Sequence, residues 1–336
     1  MKQEKVAIII VNWNGKKFLK NCLNSIFKQT YKNFDVYFVD NGSIDESSKY
    51  VKENFLKVKI IQLDKNYGFA KGNNEGIKEA FKDKKVEYIV CLNNDTIVDK
   101  NWLKELVKTA EKDKKIGIVQ SKVMLNYNFI QSAGVMASDD LLFVHRGFGG
   151  KKKDYSKVTE IFIAYGASFL IKKETLNKIG LFDEMYFAYQ EEVDLAIRAR
   201  MQGYKIFYSA KSIVLHLHSQ TLSALSYTKA FYNTRNMIYN LIKHYPLKLI
   251  FLKILNSIKR SRIYSENVKK MDLYFKLRLY TFVTLDILIN LPMLLKKRLM
   301  LSSTNLLDGN EFIKMNNKFK LNKEKYLRSY LRYYSK

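Results

Sequence analysis

Along the chain the apolar positions follow two rhythms. Short runs rich in β-branched and aromatic residues occur at 6–11, 35–39, 58–63 and 86–92, each of strand length and each bounded by polar residues. Between the runs, apolar residues recur at helical spacing. In Gly15 to Lys28 they are Phe18, Leu19, Cys22, Leu23 and Ile26, which share one helix face. Strands alternating with helices predict βαβ units and a mostly parallel sheet. Ser43-Ile44-Asp45-Glu46 has the spacing of a capping box, which predicts a helix opening there with Ser43 as its N-cap. From about Tyr227 the strand pattern stops, and long Leu/Ile/Tyr/Lys helical patterns run on. The expected organisation is an α/β domain over 1–225 and a basic helical extension over 226–336.

Composition sharpens this picture. With 336 residues, 47% of them hydrophobic, the chain can bury a sizeable core. Its formal net charge of +27 is uneven: residues 221–336 carry +17 and the first 220 carry +10. Such an excess attracts polyanions, so nucleic acid and an anionic membrane surface both have to be weighed. No recognisable nucleic-acid-binding module accompanies it. Residues 247–262 set Leu247, Ile250, Phe251, Ile254, Leu255 and Ile258 at helical spacing among lysines and arginines, the pattern of a helix lying in a membrane interface. Packing on the first domain or on a second copy of the chain is the alternative. The most apolar stretch, 279–295, contains Asp286 and Pro292, which predicts that it is interrupted and that association is peripheral, not spanning. Val6 to Val11 is too short for the core of a signal peptide and reads as a first strand. Cys22 and Cys91 lie far apart without CxxC spacing, which argues against disulfides and zinc and for a reducing, cytoplasmic setting.

Polar clusters close the apolar runs. Asp40-Asn41-Gly42-Ser43 follows DVYFV, Asn66 to Asn74 follows the third run, and Asn93-Asn94-Asp95 follows YIVCL. Open α/β sheets bind ligands at the C-terminal ends of their strands, although each cluster alone also reads as a turn. NYGFAKGNN is neither GxGxxG nor GxxxxGK, but its glycines would let backbone approach a ligand. Glu191, Glu192 and Asp194 open a predicted helix behind Tyr186-Phe187-Ala188-Tyr189. Acids there complement the helix dipole, and Asp194 can pair with Arg198 at i,i+4. Carboxylates beside aromatic rings also have raised pKa values, which suits a general base. His216 and His218 share one face of the predicted strand Ile213 to Ser219, a spacing that suits metal ligation beside acids.

In order, VAIIIVNWNG, VDNGSID, NYGFAKGNN, LNNDTIV, YGASFLIKK, GLFDE, YQEEVDLAIRARMQGY, VLHLHS and FYNTRNMIYN resemble family 2 glycosyltransferases of the GT-A fold, and more narrowly their rhamnosyltransferase-like branch. The resemblance covers residues 6–240. It implies a Rossmann-like, mostly parallel mixed sheet with flanking helices. It also implies inverting transfer from a nucleotide-sugar donor, of dTDP-rhamnose or UDP-sugar type, to a glycan or polyprenyl-linked acceptor in surface polysaccharide or glycoconjugate synthesis. By the same resemblance Asp95 holds Mg²⁺ or Mn²⁺ with His216 completing the shell, Asn93 and Asn94 lie nearer the ribose and diphosphate, and Asp40 meets the base ring. Asn12, Asn66, Gly68 and Gly72 are assigned to the donor. The family's Glu-Asp pair is Glu191-Glu192 here, with Glu192 favoured as base and Glu191 as the alternative. The expected location is peripheral, on the inner face of the cell membrane, with no specific nucleic acid partner and with a homo-oligomer as an option. Two other readings are a sugar-phosphate nucleotidyltransferase, whose usual N-terminal glycine-rich loop VNWNGKKFLKN does not match, and a basic nucleic-acid-binding protein.

Overall fold

The computed structural model describes residues 3–137, 143–217, 227–247, 250, 273–304 and 309–320. Strands β1 (Lys5–Asn12), β2 (Phe34–Asn41), β3 (Val58–Leu63) and β4 (Val86–Leu92) form at the four apolar runs, with helices α1 (Lys16–Phe27), α2 (Ser47–Asn54) and α3 (Gly68–Ala80) between them. Then come β5 (Thr96–Val98), α4 (Trp102–Ala110), β6 (Ile116–Met124), β7 (Ile130–Ser132), β8 (Val135–Ala137), β9 (Phe143–His145), β10 (Thr159–Glu160) and β11 (Ser168–Lys172). Helices α5 (Lys173–Ile179) and α6 (Glu191–Met201) lead to β12 (Lys205–His216). The main sheet runs β10-β12-β6-β11-β4-β1-β2-β3, with β5 on β12 and β7 on β6. Pairing is parallel across β3-β2-β1-β4 and β6-β12, while β11 enters antiparallel between β4 and β6. The sheet is therefore mixed and mostly parallel, as expected.

Both faces of the sheet are covered, which is why β1 is a continuous apolar run. Period-two alternation sends Val6, Ile8 and Ile10 towards Leu19 and Leu23 of α1 and Leu103 and Leu106 of α4, and sends Ala7 and Ile9 towards Ala70 and Ile77 of α3. Each such aliphatic side chain contributes about 1.5–3 kcal/mol on full burial, so this layered core dominates the stability of the domain.

The helix expected to open at Ser43 begins only at Ser47. Ser43 Oγ instead accepts from Asn12 Nδ2 (3.1 Å) and from the backbone N–H of Asn14 (2.9 Å), tying the end of β1 to the loop after β2. Asp45 takes the capping role, because its Oδ1 accepts from the N–H of Ser47 (3.1 Å) and from the Ser47 hydroxyl.

Among the described residues three further helices follow: α7 (Tyr227–His244), α8 (Leu273–Thr304) and α9 (Gly309–Lys318). Although Asp286 and Pro292 interrupt the apolar run at 279–295, the helix itself is continuous, since α8 runs through both. Asp286 accepts from the Tyr239 hydroxyl and pairs with Arg235 at 3.5 Å, so its charge is met by α7. An interior proline costs roughly 3 kcal/mol; against that cost, Ile287, Leu291 and Leu294 pack on the cluster of Tyr186, Tyr239 and Ile242. By length and composition alone, Tyr274–Ser303 could cross a membrane. His218, the boundary at 225 and nearly all of the amphipathic stretch 247–262 lie outside the described residues.

Candidate active site

The parallel strands end together, so their C-terminal residues share one edge of the sheet. Strand β12 pairs antiparallel with β5, which sets His216 opposite Thr96 and its Nε2 at 3.1 Å from Asp95 Oδ1. Both residues are buried. His216 Nδ1 lies 2.8 Å from Gln131 Oε1; facing an acceptor, Nδ1 carries the proton. Nε2 is thereby left facing Asp95, with Asn93 Nδ2 3.4 Å from it. A carboxylate oxygen and an imidazole lone pair held this close, with the far ring nitrogen oriented by an amide, suit a shared divalent cation. Among the described residues no three His, Cys, Asp or Glu side chains come together as a metal cluster. Among the described residues the site thus offers two ligands, and Mg²⁺ or Mn²⁺ with remaining positions for phosphate oxygens and water fits that set.

Around this pair the asparagines brace the strand ends. Asn94 Nδ2 donates to Asn12 Oδ1 at 2.6 Å, and Gly15 lies so close that any Cβ there would collide with both amides. Asp40 is buried, with Oδ1 accepting from the N–H of Ser43 (3.0 Å) and Oδ2 from the Ser48 hydroxyl. Asn66 Oδ1 accepts from Asn41 Nδ2 (3.0 Å) and from the N–H of Gly68 (2.9 Å). Gly68 has φ +85° and rests on the Phe187 carbonyl, while Gly72 packs on Val11. In the stretch read from sequence as a ligand loop, these glycines belong to α3 and allow close approach of chain to chain.

Across the edge, α6 opens with the acid pair. Glu191 is buried, and Gly166 lies beside the Glu192 carboxyl, where an added Cβ would be in ordinary contact at 3.7 Å. Oε2 of each glutamate is buried without a hydrogen-bond partner. Burial pushes Glu192 up to about 7, and burial together with the Glu192 charge pushes Glu191 well above the usual carboxylate range. Tyr165 links the two halves of the site. Its hydroxyl accepts from Gln131 Nε2 at 3.2 Å, and its ring stands edge-on to His216. Its pKa is raised by burial and then by the charges of Glu192 and Asp95. Asp194 is paired with Arg198 at 2.9 Å, as the spacing suggested.

Sequence reasoning did not single out Gly15, Gln131, Tyr165 or Gly166. Tyr165-Gly166 sits inside the quoted YGASFLIKK, a signal that was available. Gln131 has none, since only the pairing of β7 with β6 brings it to the site.

A family model described as "Glycosyl transferase family 2" matches residues 7–180. The chain is 26% identical over 239 residues to the O-antigen biosynthesis protein RfbC of Myxococcus xanthus, covering 68% of this chain and 18% of that protein. It is 23% identical over 225 residues to a poly-beta-1,6-N-acetyl-D-glucosamine synthase of Staphylococcus epidermidis, covering 66% of this chain and 52% of that one. The chain therefore spans about half or less of the length of these relatives. Among solved structures it is similar to GalNAc-T7 with UDP, GalNAc and Mn²⁺ (TM-score 0.58, 18% identity, 73% of this chain and 48% of that one). It is also similar to the mannosyltransferase PcManGT from Pyrobaculum calidifontis in complex with GDP-Man and Mn²⁺ (TM-score 0.55, 15% identity, 90% and 86%). At these identities the structural likeness concerns the fold.

Proposed function

The chain belongs to glycosyl transferase family 2, and from that membership we propose that it transfers a sugar, with inversion, from a UDP- or dTDP-linked donor to a glycan or polyprenyl-linked acceptor in surface polysaccharide synthesis. The observation that carries this reading is the meeting of the Asp95–His216 pair with the acid pair Glu191 and Glu192, each of which keeps one buried oxygen without a partner, around Tyr165. The names of the two curated relatives support the polysaccharide class. The UDP or GDP-Man and Mn²⁺ of the related structures support a nucleotide-sugar donor and a divalent cation.

In this reading Asp95 and His216 hold Mg²⁺ or Mn²⁺, which when bound offsets negative charge on the departing diphosphate. Asn93 and Asn94, at the same strand end, are assigned to the ribose and diphosphate. Glu192 accepts the proton of the acceptor hydroxyl as that oxygen bonds to the anomeric carbon and the bond to the diphosphate oxygen breaks. A single displacement of this kind inverts the carbon. A carboxyl poised at about 7 is both ionised and basic near neutrality. Burial and its neighbour's charge both oppose ionisation of Glu191, as for two carboxyls that titrate as a pair.

Thermal shift with UDP, dTDP and GDP, with and without Mn²⁺, tests the donor site. A nucleotide at a hundredfold excess over its Kd stabilises by about 2.7 kcal/mol, and Asp95→Ala should lose the Mn²⁺-dependent part while remaining folded. No stabilisation by any of the three, or an Asp95→Ala response equal to wild type, rejects this donor site.

The proposal extends to a cytoplasmic membrane surface. Helix α8 exposes Tyr274, Leu277, Phe282, Leu285, Leu288 and Ile289, while Asp286–Arg235 and Lys297–Asp183 pin its other face to the rest of the chain. A helix held along one side in this way suits lying on a membrane more than crossing it. Leu288→Glu with Ile289→Glu should release the protein from vesicles containing anionic lipid. Undiminished binding of the double variant would remove α8 from the contact.

A further inference from the structure

Two consecutive non-glycine residues, Tyr189 and Gln190, have φ of +70° immediately before α6. A left-handed conformation is strained for any residue with a side chain and persists only where the surroundings enforce it. Here the enforcement comes from α7. Asn236 Nδ2 donates to the carbonyls of Ala188 (2.9 Å) and Tyr189 (2.7 Å), and Asn240 Nδ2 donates to that of Gln190 (3.2 Å). Three successive carbonyls are thus held by two buried amides one helical turn apart. The amide oxygens are held as well: Arg235 Nε donates to Asn236 Oδ1 and the Tyr186 hydroxyl to Asn240 Oδ1, each at 2.8 Å. A flip of either amide would set oxygen against oxygen, so the donors can only face the strained segment.

We propose that Asn236 and Asn240 are positioning residues that hold this left-handed segment and so fix the direction in which α6 presents Glu191 and Glu192. The proposal rests on the reading of Glu192 as the base. Without the clamp, Tyr189 and Gln190 relax towards ordinary backbone regions and the first turn of α6 moves with them. The hydrogen bonds of Asp95, His216 and Asn93 described above do not involve α7, so the metal and diphosphate side of the donor site is insulated from that movement.

The test measures nucleoside diphosphate release from UDP-N-acetylglucosamine and dTDP-rhamnose by the full chain, together with Mn²⁺-dependent binding of UDP and dTDP. A misplacement near 1 Å costs about 10²-fold in rate. Asn236→Ala is therefore expected to lower kcat by about that factor, to leave nucleotide binding unchanged and to displace the acid limb of the pH profile. Adding Gln190→Gly should restore part of the loss, because glycine adopts positive φ without strain. If Asn236→Ala does not fold, Asn240→Ala, which removes a single carbonyl contact, is measured in the same way. A folded variant with wild-type kcat, or one that loses nucleotide binding and kcat together, overturns the clamp. Wild-type turnover by Glu192→Gln overturns the base assignment instead, so the two failures are distinguishable.

Discussion

Asp194 and Glu192 share the first turn of α6. Yet Asp194 meets Arg198 Nε (2.9 Å), Lys243 Nζ (2.5 Å) and His244 Nε2 (2.8 Å), whereas Glu192 keeps a buried oxygen without a partner. Burial opposes ionisation of Asp194, and Lys243, Arg198 and His244 outweigh it, holding the carboxyl well below its usual range. Burial also opposes ionisation of Glu192, but only backbone N–H groups oppose that effect, and it titrates near 7. Helix α7 brings its cations to one side of α6 and its asparagines to the approach. The carboxylate facing the cations ties the two helices together, whereas burial acts on the Glu191–Glu192 pair with no cation to offset it. A buried charge is thus structural or chemical according to what the neighbouring helix supplies.

The contrast makes its largest prediction at Glu192. Glu192→Gln should retain nucleotide affinity and lose turnover by about 10²–10⁴-fold, the usual general-base contribution, with no loss of melting temperature at pH 8. Glu191→Gln should cost less; the reverse order would make Glu191 the base. Asp194→Asn should do the opposite. With Lys243 and Arg198 left facing a neutral amide, a loss of about 3–5 kcal/mol is expected in denaturant unfolding, and a loss under about 1 kcal/mol, typical of an exposed pair, would erase the distinction between the two carboxylates. The smallest effect lies in the pH dependence of stability. For Glu192 the folded pKa is raised, so between about 4.5 and about 7 the folded chain holds more protons than the unfolded one and this group's contribution falls as pH rises. For Asp194 the folded pKa is depressed, so its contribution is present above the ordinary range and is lost as pH falls. Melting curves from pH 2 to 8 should show Glu192→Gln flattening the decline towards neutral pH and Asp194→Asn flattening the acid one, which lies below about pH 4.

The order of residues alone determined the alternation of strands and helices and the apolar face of α1, and it marked Asp95, His216, Glu191 and Glu192 as candidates. These follow from period-two and period-3.6 burial and from polar residues at strand ends, which are local properties of the chain. Tertiary structure decided the jobs that depend on a partner distant in sequence. Ser43 serves Asn12 and Asn14 while Asp45 caps α2; the glycines at 68 and 72 admit Phe187 and Val11; and α8 continues through Pro292 because α7 receives it. Gln131, Asn236 and Asn240 had no legible role for the same reason. An amide side chain reads as polar filler until the fold places a ring nitrogen or a strained carbonyl in front of it, and the hydrogen bond it then makes is set by geometry that spans 85 residues for Gln131 and 48 for Asn236.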